Sequence, residues 1–205
     1  MTMSPDILIA LVTFCVVSTV TPGPNNMMLL SSGATFGFRR TIPHMLGISI
    51  GCAIMVLLLG FGLSGVIARV PWLYTVLHIA SAGYLLYLSW RIATSTGVGA
   101  GASRGRPLSF LDAAAFQWVN PKAWAMTLGA TTGFARPEHL TADILIVALV
   151  LVALGLPCIA LWAGGGTMVR QLLTRPGALR TFNIGMALLL VASLVPGLIE
   201  LAGPA

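Results

Sequence analysis

The stretch Thr21-Pro22-Gly23-Pro24-Asn25-Asn26 interrupts the first long apolar segment of the chain. Its two prolines remove backbone donors and crowd the carbonyls one turn earlier, so a helix must break here. The whole segment, residues 6–33, would be about 42 Å long as a straight helix, against a hydrocarbon core of about 30 Å. In lipid, freed backbone groups survive only where protein or a wet cavity satisfies them. The stretch therefore predicts a broken membrane span beside a cavity.

A second interruption of the same kind lies in the other half of the chain. Gln117-Trp118-Val119-Asn120-Pro121-Lys122 breaks the apolar segment 109–134, and it again combines amide side chains with a proline. Each interruption falls in the first apolar segment of its half. Broken spans at corresponding places in two halves are the best pointer that a sequence gives to the binding site of a transporter.

Composition places the chain in a membrane. Hydrophobic residues make up 57% of it and charged residues only 8%, whereas soluble domains have about 25% charged residues. The net charge of +6 comes from basic residues in short connections, which is typical of topology signals rather than of nucleic-acid binding. We therefore expect one transmembrane domain over residues 1–205, with the lipid bilayer as partner and no nucleic acid.

Six apolar segments are long enough to span a bilayer: 6–33, 42–67, 72–93, 109–134, 142–166 and 181–202. The N-terminus has no basic region typical of a signal peptide, so we expect the first segment to remain as a span. A Gly/Ser/Thr-rich linker, residues 94–108, separates three spans from three. An odd number of spans per half reverses the direction of the second half. The predicted fold is all-α, with inverted three-helix repeats over about 6–93 and 109–202, the first helix of each being broken.

Basic residues give the orientation. Eight fall on one side of the predicted spans and two, Arg69 and Arg136, on the other; the eight are Arg39, Arg40, Arg91, Arg104, Arg106, Arg170, Arg175 and Arg180. Because cytoplasmic loops carry the excess of Lys and Arg, both termini are predicted to lie outside.

Lys122 is the charge that the sequence places deepest in the membrane. Asp112 lies at the start of the fourth span, and a helix from Asp112 to Lys122 is about 15 Å long. Intramembrane charges mark functional paths by default, so we expect Lys122 to neutralise a substrate carboxylate; the alternative is a lysine that bonds only backbone carbonyls or snorkels. The two breaks are expected to meet near the midplane and form the substrate pathway from Thr21, Pro22, Gly23, Pro24, Asn25, Asn26, Gln117, Asn120, Pro121 and Lys122.

Other ionisable residues have simpler interpretations. Asp112 and Lys122 are the candidates for proton coupling, although Ser109 and Asp112 also have the spacing of a helix capping box. His44 is expected to form hydrogen bonds at an interface, and Arg136 and Asp143 to be solvated loop charges. No His, Cys or acidic cluster has metal-ligand spacing, and we predict no metal, cofactor or catalytic residue.

Several of these motifs resemble those of the LysE-type amino-acid exporters, the family that includes lysine exporters and threonine and homoserine efflux proteins. Thr21–Asn25 is similar to their first signature and Asn120–Ala123 to their second; the patterns Ala82–Leu88 and Phe182–Gly185 resemble their third and last spans. The resemblance implies export of amino acids or small derivatives across the bacterial inner membrane by proton-linked exchange. Trp124, Met126 and Thr127 depart from the Phe-rich runs of many members, which leaves the substrate open.

Two other classes of function remain open. A membrane thiol or electron carrier needs a pair of cysteines in reach, but Cys15, Cys52 and Cys158 are far apart in the sequence. A channel-like accessory protein would have the same apolar spans without a transport cycle. Assembly into a homo-oligomer is also left open by the sequence.

Overall fold

The regular structure of the protein is helical throughout the part that is described. A computed structural model describes residues 3–65, 69–95, 106–173 and 177–195. It contains eight α-helices, which are α1 (Pro5–Val20), α2 (Pro24–Phe36), α3 (Phe38–Leu58), α4 (Pro71–Thr94), α5 (Phe110–Phe116), α6 (Pro121–Phe134), α7 (Leu140–Leu172) and α8 (Ala178–Ala192). A π-helical turn, Leu59–Leu63, extends α3, and 3-10 turns at Gln117–Val119 and Pro137–His139 precede α6 and α7. The prediction of an all-α protein is confirmed.

Two described helices are long and apolar enough to cross a membrane alone, Phe38–Leu63 and Pro137–Gln171. The pair α1 and α2 meets the same criteria together, with a bend of 55° between them, so the predicted break of the first span is present. The helix α8 is apolar but covers only 15 described residues. Most of the predicted linker, 96–105, and the end of the predicted last span, 196–202, lie outside the described residues.

The distribution of polarity is the reverse of that in a soluble protein. Leu149 and Leu161 on α7 are 68% and 69% exposed. By contrast, the polar side chains of Thr35, Gln117 and Asn183 are completely buried. Apolar side chains on the outside and hydrogen-bonded polar ones inside are what a lipid-facing surface requires. The helices are therefore those of a membrane protein.

Helix α7 packs against α1, α2, α3 and α6, so elements from the two predicted halves interlock. Its contact with α2 is close because glycines remove side chains from both surfaces. A Cβ built on Gly33 would collide with the backbone of Ala163, and one built on Gly166 with the backbone of Leu30. This packing role of small residues is the one predicted for lipid-embedded helices.

The turn between α2 and α3 is tighter than the sequence suggested. A loop around Arg39 and Arg40 was expected between residues 33 and 42, but these arginines lie in the first turn of α3. The single residue Gly37 makes the turn with a φ of 85°, a conformation that glycine adopts without strain. Arg40 then lies over the ring of Phe36, 6.0 Å from its centroid.

The expectation that Arg136 and Asp143 are solvated loop charges is wrong for Asp143. Its side chain is 1% exposed. One carboxylate oxygen accepts hydrogen bonds from Arg136 Nε at 2.7 Å and from the Arg136 backbone N–H at 3.1 Å, and the other accepts from Nη2 at 2.9 Å. The short turn Pro137–His139 brings the arginine onto the first turn of α7, where it forms this bidentate pair.

Candidate functional site

The C-terminal end of α1 is the first component of the site. Its carbonyls lack helical partners because the chain turns away at Thr21. Asn26 Nδ2 donates to the carbonyl of Thr19 at 2.8 Å and to that of Thr21 at 2.7 Å. Trp162 Nε1, from α7, donates to the carbonyl of Val20 at 3.1 Å. Side chains from two other helices therefore satisfy the backbone that the prolines free.

Lys122 supplies the remaining donors to this end of α1. Its Nζ donates to the Thr21 carbonyl at 2.6 Å, to Thr21 Oγ1 at 2.9 Å and to the Pro22 carbonyl at 3.2 Å. Among the described residues, no carboxylate lies within ion-pairing distance of Nζ. A Cβ on Gly23 would lie 2.6 Å from Lys122 Cδ, so the absence of a side chain there leaves room for the lysine. The half-buried ammonium thus joins the second break to the first.

The second break is made by a change of helix type. Helix α5 ends at Phe116, the 3-10 turn Gln117–Val119 follows, and Asn120 is extended. Asn120 Oδ1 accepts the backbone N–H of Lys122 at 3.1 Å, which caps the start of α6. Pro121 occupies the first position of that helix, where its missing N–H has no consequence. The sequence Asn-Pro-Lys therefore ends one helix and begins the next.

A reciprocal amide pair holds the two breaks together. Asn25 Nδ2 donates to Gln117 Oε1 at 2.8 Å, and Gln117 Nε2 donates to Asn25 Oδ1 at 3.1 Å. Gln117 Nε2 also donates to the Ala113 carbonyl at 2.8 Å, and the Cys52 thiol approaches Gln117 Oε1 at 3.6 Å. The amide of Gln117 is completely buried, so this pair connects the halves inside the protein.

A cleft lies between these groups. It encloses about 360 Å³ of empty space, part of which is open to the surroundings. Its polar lining comes from both breaks and from the last turn of α1, and includes Ser18, Thr19, Asn25, Asn26, Asn120 and Lys122. Its apolar lining includes Ile48, Met126 and Ile159. The positive ends of the helix dipoles of α2 and α6 are both at the cleft, because each helix begins there.

The predicted site residues divide into three groups. Gly23, Asn25, Asn26, Asn120 and Lys122 line the cleft. Thr21, Pro22, Pro24, Gln117 and Pro121 form its backbone turns and hydrogen bonds around it. Asp112 is elsewhere, at the start of α5, where its carboxylate accepts the Ser109 N–H at 3.2 Å and its own N–H donates to Ser109 Oγ at 3.2 Å. The capping box is present, and Asp112 does not line the cleft.

Trp162 and Cys52 are among the residues that contribute here without having been predicted. Trp162 donates to a carbonyl 142 positions earlier in the chain, and Cys52 both lines the cleft and approaches Gln117. Neither residue stands out in its own segment, because an apolar helix containing a tryptophan or a cysteine is unremarkable in a membrane protein. Their roles depend on contacts between distant segments.

Comparison with known proteins places both breaks inside a region shared with a known family. The profile of the LysE type translocator family matches residues 16–193, which include both breaks and most of the chain. The chain belongs to this family. It is similar to the cysteine/O-acetylserine efflux protein of Escherichia coli (strain K12), with 34% identity over 191 residues that cover 92% of this chain and 96% of the relative. The protein of the same name in Shigella sonnei (strain Ss046) matches with the same identity and coverage. No solved structure matches the chain significantly.

Because this chain is a member of the LysE type translocator family, the cleft at its two breaks is the candidate binding site for a transported molecule. Among the described residues, no group of three or more His, Cys, Asp or Glu side chains is placed to hold a metal ion. The polar groups at the cleft include an ammonium, three side-chain amides, two hydroxyls and backbone carbonyls.

Proposed function

We propose that the protein exports small amino acids or their derivatives from the cytoplasm across the bacterial inner membrane, as a secondary transporter without covalent catalysis. The observation that carries the proposal is the meeting of two broken helices around a polar cleft, with Lys122 crossing from one break to the other. Membership of the LysE type translocators supports it. So do the efflux proteins that match nearly the whole chain.

In this proposal the helices form two inverted halves. The first consists of α1 with α2, α3 and α4, and the second of α5 with α6, α7 and α8. Each half begins with a broken helix, and the positive-inside pattern places both termini outside. Rocking of one half against the other would expose the cleft to each side in turn, as in other transporters with discontinuous helices.

The cleft suits both charged groups of an amino acid. The ammonium of Lys122 and the starts of α2 and α6 attract a carboxylate. The amide oxygens of Asn25 and Asn120, and the carbonyls at the end of α1, attract an ammonium. When a carboxylate takes over the Lys122 ammonium, the Pro22 carbonyl loses its lysine donor and the Thr21 carbonyl keeps only that of Asn26, so both gain capacity to accept from the substrate. Proton coupling would act through Lys122, with Asp112 as the second candidate.

The lining also favours an uncharged substrate side chain. Of the described residues that line the cleft, Lys122 is the one with a charge, and none is a carboxylate that could balance a second cation. A buried, unpaired charge is strongly unfavourable, so lysine and arginine should be poor substrates. Because the similar proteins are named for cysteine and O-acetylserine, those two compounds are the first to be tested.

The test is export from cells that produce the protein. Parent cells should release O-acetyl-L-serine or L-cysteine into the medium faster than cells without the gene, and L-lysine should show no such difference. Lys122→Met should abolish the release at unchanged abundance, because the charge for the carboxylate is gone. Arg39→Gln removes an exposed charge that lines no cavity described here and should leave export intact. Unaltered export by the Lys122→Met protein, or accumulation inside the parent cells, would contradict the proposal.

A further inference from the structure

A second cavity lies beyond the cleft along α2. It encloses about 450 Å³ of empty space and is lined by residues from α2, α3, α4 and the segment before α5. On α2 the lining changes from Asn26, in the cleft, to Met28, in the second cavity. On α3 it changes from Ile48 in the cleft to His44, one helical turn earlier. The two cavities are thus stacked, with the second toward the end of the molecule where the linker begins.

His44 is the most unusual group in the second cavity. The sequence predicted a hydrogen-bonding residue at an interface, and this prediction is wrong: the side chain is 1% exposed. Neither Nδ1 nor Nε2 has a hydrogen-bond partner among the described residues. A buried polar atom without a hydrogen-bond partner destabilises the folded protein. Because His44 lines the cavity, a molecule bound there can supply the missing hydrogen bonds.

Two arginines give the cavity its charge. Arg91 Nη2 donates to the carbonyl of Arg106 at 3.0 Å, and its guanidinium lies 5.8 Å from the centroid of Tyr87. These contacts hold Arg91 in place and leave other N–H groups of its guanidinium able to donate to a bound molecule. Among the described residues, no carboxylate lines the cavity. Asp112, at the start of α5, is engaged in its capping box. Guanidinium groups bind carboxylates through paired hydrogen bonds.

Two serines on α2 provide acceptors at the same cavity. Ser31 Oγ donates to Asn183 Oδ1 at 3.0 Å. Thr41 Oγ1 donates to the Gly37 carbonyl at 3.0 Å, so in its contact with Ser32 Oγ at 2.9 Å the serine must be the donor. Both serine protons are therefore in use, and what remains on each oxygen is acceptor capacity. Such oxygens suit an ammonium group.

We propose that the second cavity is a binding site for the carboxylate of a small amino acid on the cytoplasmic side of the transport path, occupied before the molecule reaches the cleft. Arg91 and Arg106 bind the carboxylate, His44 donates a further hydrogen bond, and the oxygens of Ser31 and Ser32 accept from the ammonium. The cavity alone supports the carboxylate chemistry. The choice of an amino acid as its source, and of the cytoplasmic side, rests on the proposed function.

Equilibrium binding to the purified full-length protein in lipid nanodiscs tests this site. Titration with O-acetyl-L-serine should show two sites in the parent protein and one in Lys122→Met. The Arg91→Gln, Arg106→Gln double variant should also retain one site, that of the cleft. Cysteamine, which has the ammonium and thiol of cysteine without the carboxylate, should not occupy the second cavity, whereas acetate should compete with the amino acid there. Arg39→Gln is the matched control, since it removes an exposed arginine and should keep both sites.

A conservative variant separates binding from folding. Arg91→Lys keeps the charge and its topological signal but loses the planar fork. In everted vesicles, where the cytoplasmic face is outside, it should raise the apparent KM by about tenfold with little change in maximal rate, because one charge-assisted hydrogen bond is lost.

The outcomes of these experiments distinguish the two proposals. Two sites in the double arginine variant, or an unchanged KM in Arg91→Lys, would overturn the second site and leave the exporter intact. Acetate or chloride binding that the amino acid cannot displace would show a general anion site and would also overturn it. A parent protein that binds carboxylates at the arginines but exports no amino acid would instead refute the proposed function.

Discussion

Gln117 shows how a single side chain can hold a broken helix in place. It lies where α5 gives way to the 3-10 turn, and its amide is completely buried. It exchanges two hydrogen bonds with Asn25 and gives a third to the Ala113 carbonyl. A fully satisfied amide network in a low-dielectric interior strengthens each of its bonds. The same residue therefore ends a helix, satisfies its backbone and connects the two breaks.

Removing one partner of the amide pair should destabilise the protein. Gln117→Ala leaves the Asn25 amide without its partner, and we expect a loss of about 1–3 kcal/mol in unfolding free energy. Asn25→Ala should behave similarly, and the double variant should lose less than the sum, with a coupling energy of about 0.5–3 kcal/mol. Unfolding in mixed micelles by titration with denaturing detergent measures all three.

The control for this cycle is Thr13→Ala. Thr13 is exposed and bonds only the carbonyl of Ile9 in its own helix, at 2.8 Å, so the change should stay within about 0.5 kcal/mol of the parent. Additive effects of the Asn25 and Gln117 substitutions would show that the pair contributes no coupling.

At this scale the sequence predicted the positions of the breaks and that the two would meet, but not which side chains form hydrogen bonds with one another. Pro22, Gly23 and Pro24 break a helix by local chemistry, and Asn120-Pro121 begins one in the same way, so both were visible in the sequence. The partners are not local: Gln117 lies 92 positions from Asn25, and Trp162 lies 142 positions from Val20. His44 was misinterpreted for the same reason, because residues that surround it come from segments distant in the sequence: α2, α4 and the segment before α5.

At the scale of helices, the contact between α2 and α7 is set by glycine. A side chain at Gly166 would meet the backbone of Leu30 and Ala34, while one at Gly164, on the same helix, meets nothing within 4 Å. Backbone atoms cannot move aside as the end of a flexible side chain can. The two glycines therefore differ in packing although their local sequence, Gly164-Gly165-Gly166, is nearly uniform.

We expect Gly166→Ala to reduce the unfolding free energy by about 1–3 kcal/mol through overpacking. Gly164→Ala is its matched control and should be neutral or stabilising by up to about 1 kcal/mol, because alanine favours a helix more than glycine does. Thermal unfolding of the two purified proteins and of the parent compares them. Equal stability of the two variants would mean that α2 and α7 are farther apart than the structure has them.

Helix boundaries show which features of the structure an apolar run in the sequence can and cannot predict. Residues 72–93 were predicted as one span and the helix runs over Pro71–Thr94, because an apolar run flanked by a proline and a polar segment has clear ends. The turn at Gly37 was predicted as a longer loop. Arg39 and Arg40 are charged, as loop residues between spans often are, but they lie in the first turn of α3. The chain also has a kink after α3, where Gly62 has a φ of 123°. Apart from the glycine itself, nothing in the sequence indicated this kink.

For the whole molecule, the arrangement of the halves can be tested through its orientation. Arg39 and Glu138 are both exposed and lie at opposite ends of the predicted spans. If the termini are outside, a cysteine placed at Glu138 should react with a membrane-impermeant maleimide in intact cells. A cysteine at Arg39 should react only after permeabilisation. The parent chain, whose Cys15 and Cys52 are buried and whose Cys158 is partly buried, provides the background of labelling. The opposite pattern would invert the proposed topology.

The three hydrogen bonds of the Lys122 ammonium have a consequence for the empty protein. They tie the start of α6 to the end of α1, so any movement that parts the two segments must break all three together. If no bound molecule replaces these hydrogen bonds, we expect the movement to be slow. A carboxylate that takes the ammonium and an ammonium that takes the carbonyls lower this barrier at the same moment. In the proposed transport cycle, this contact would let the protein change its access when it is loaded and would limit leakage across the membrane when it is empty.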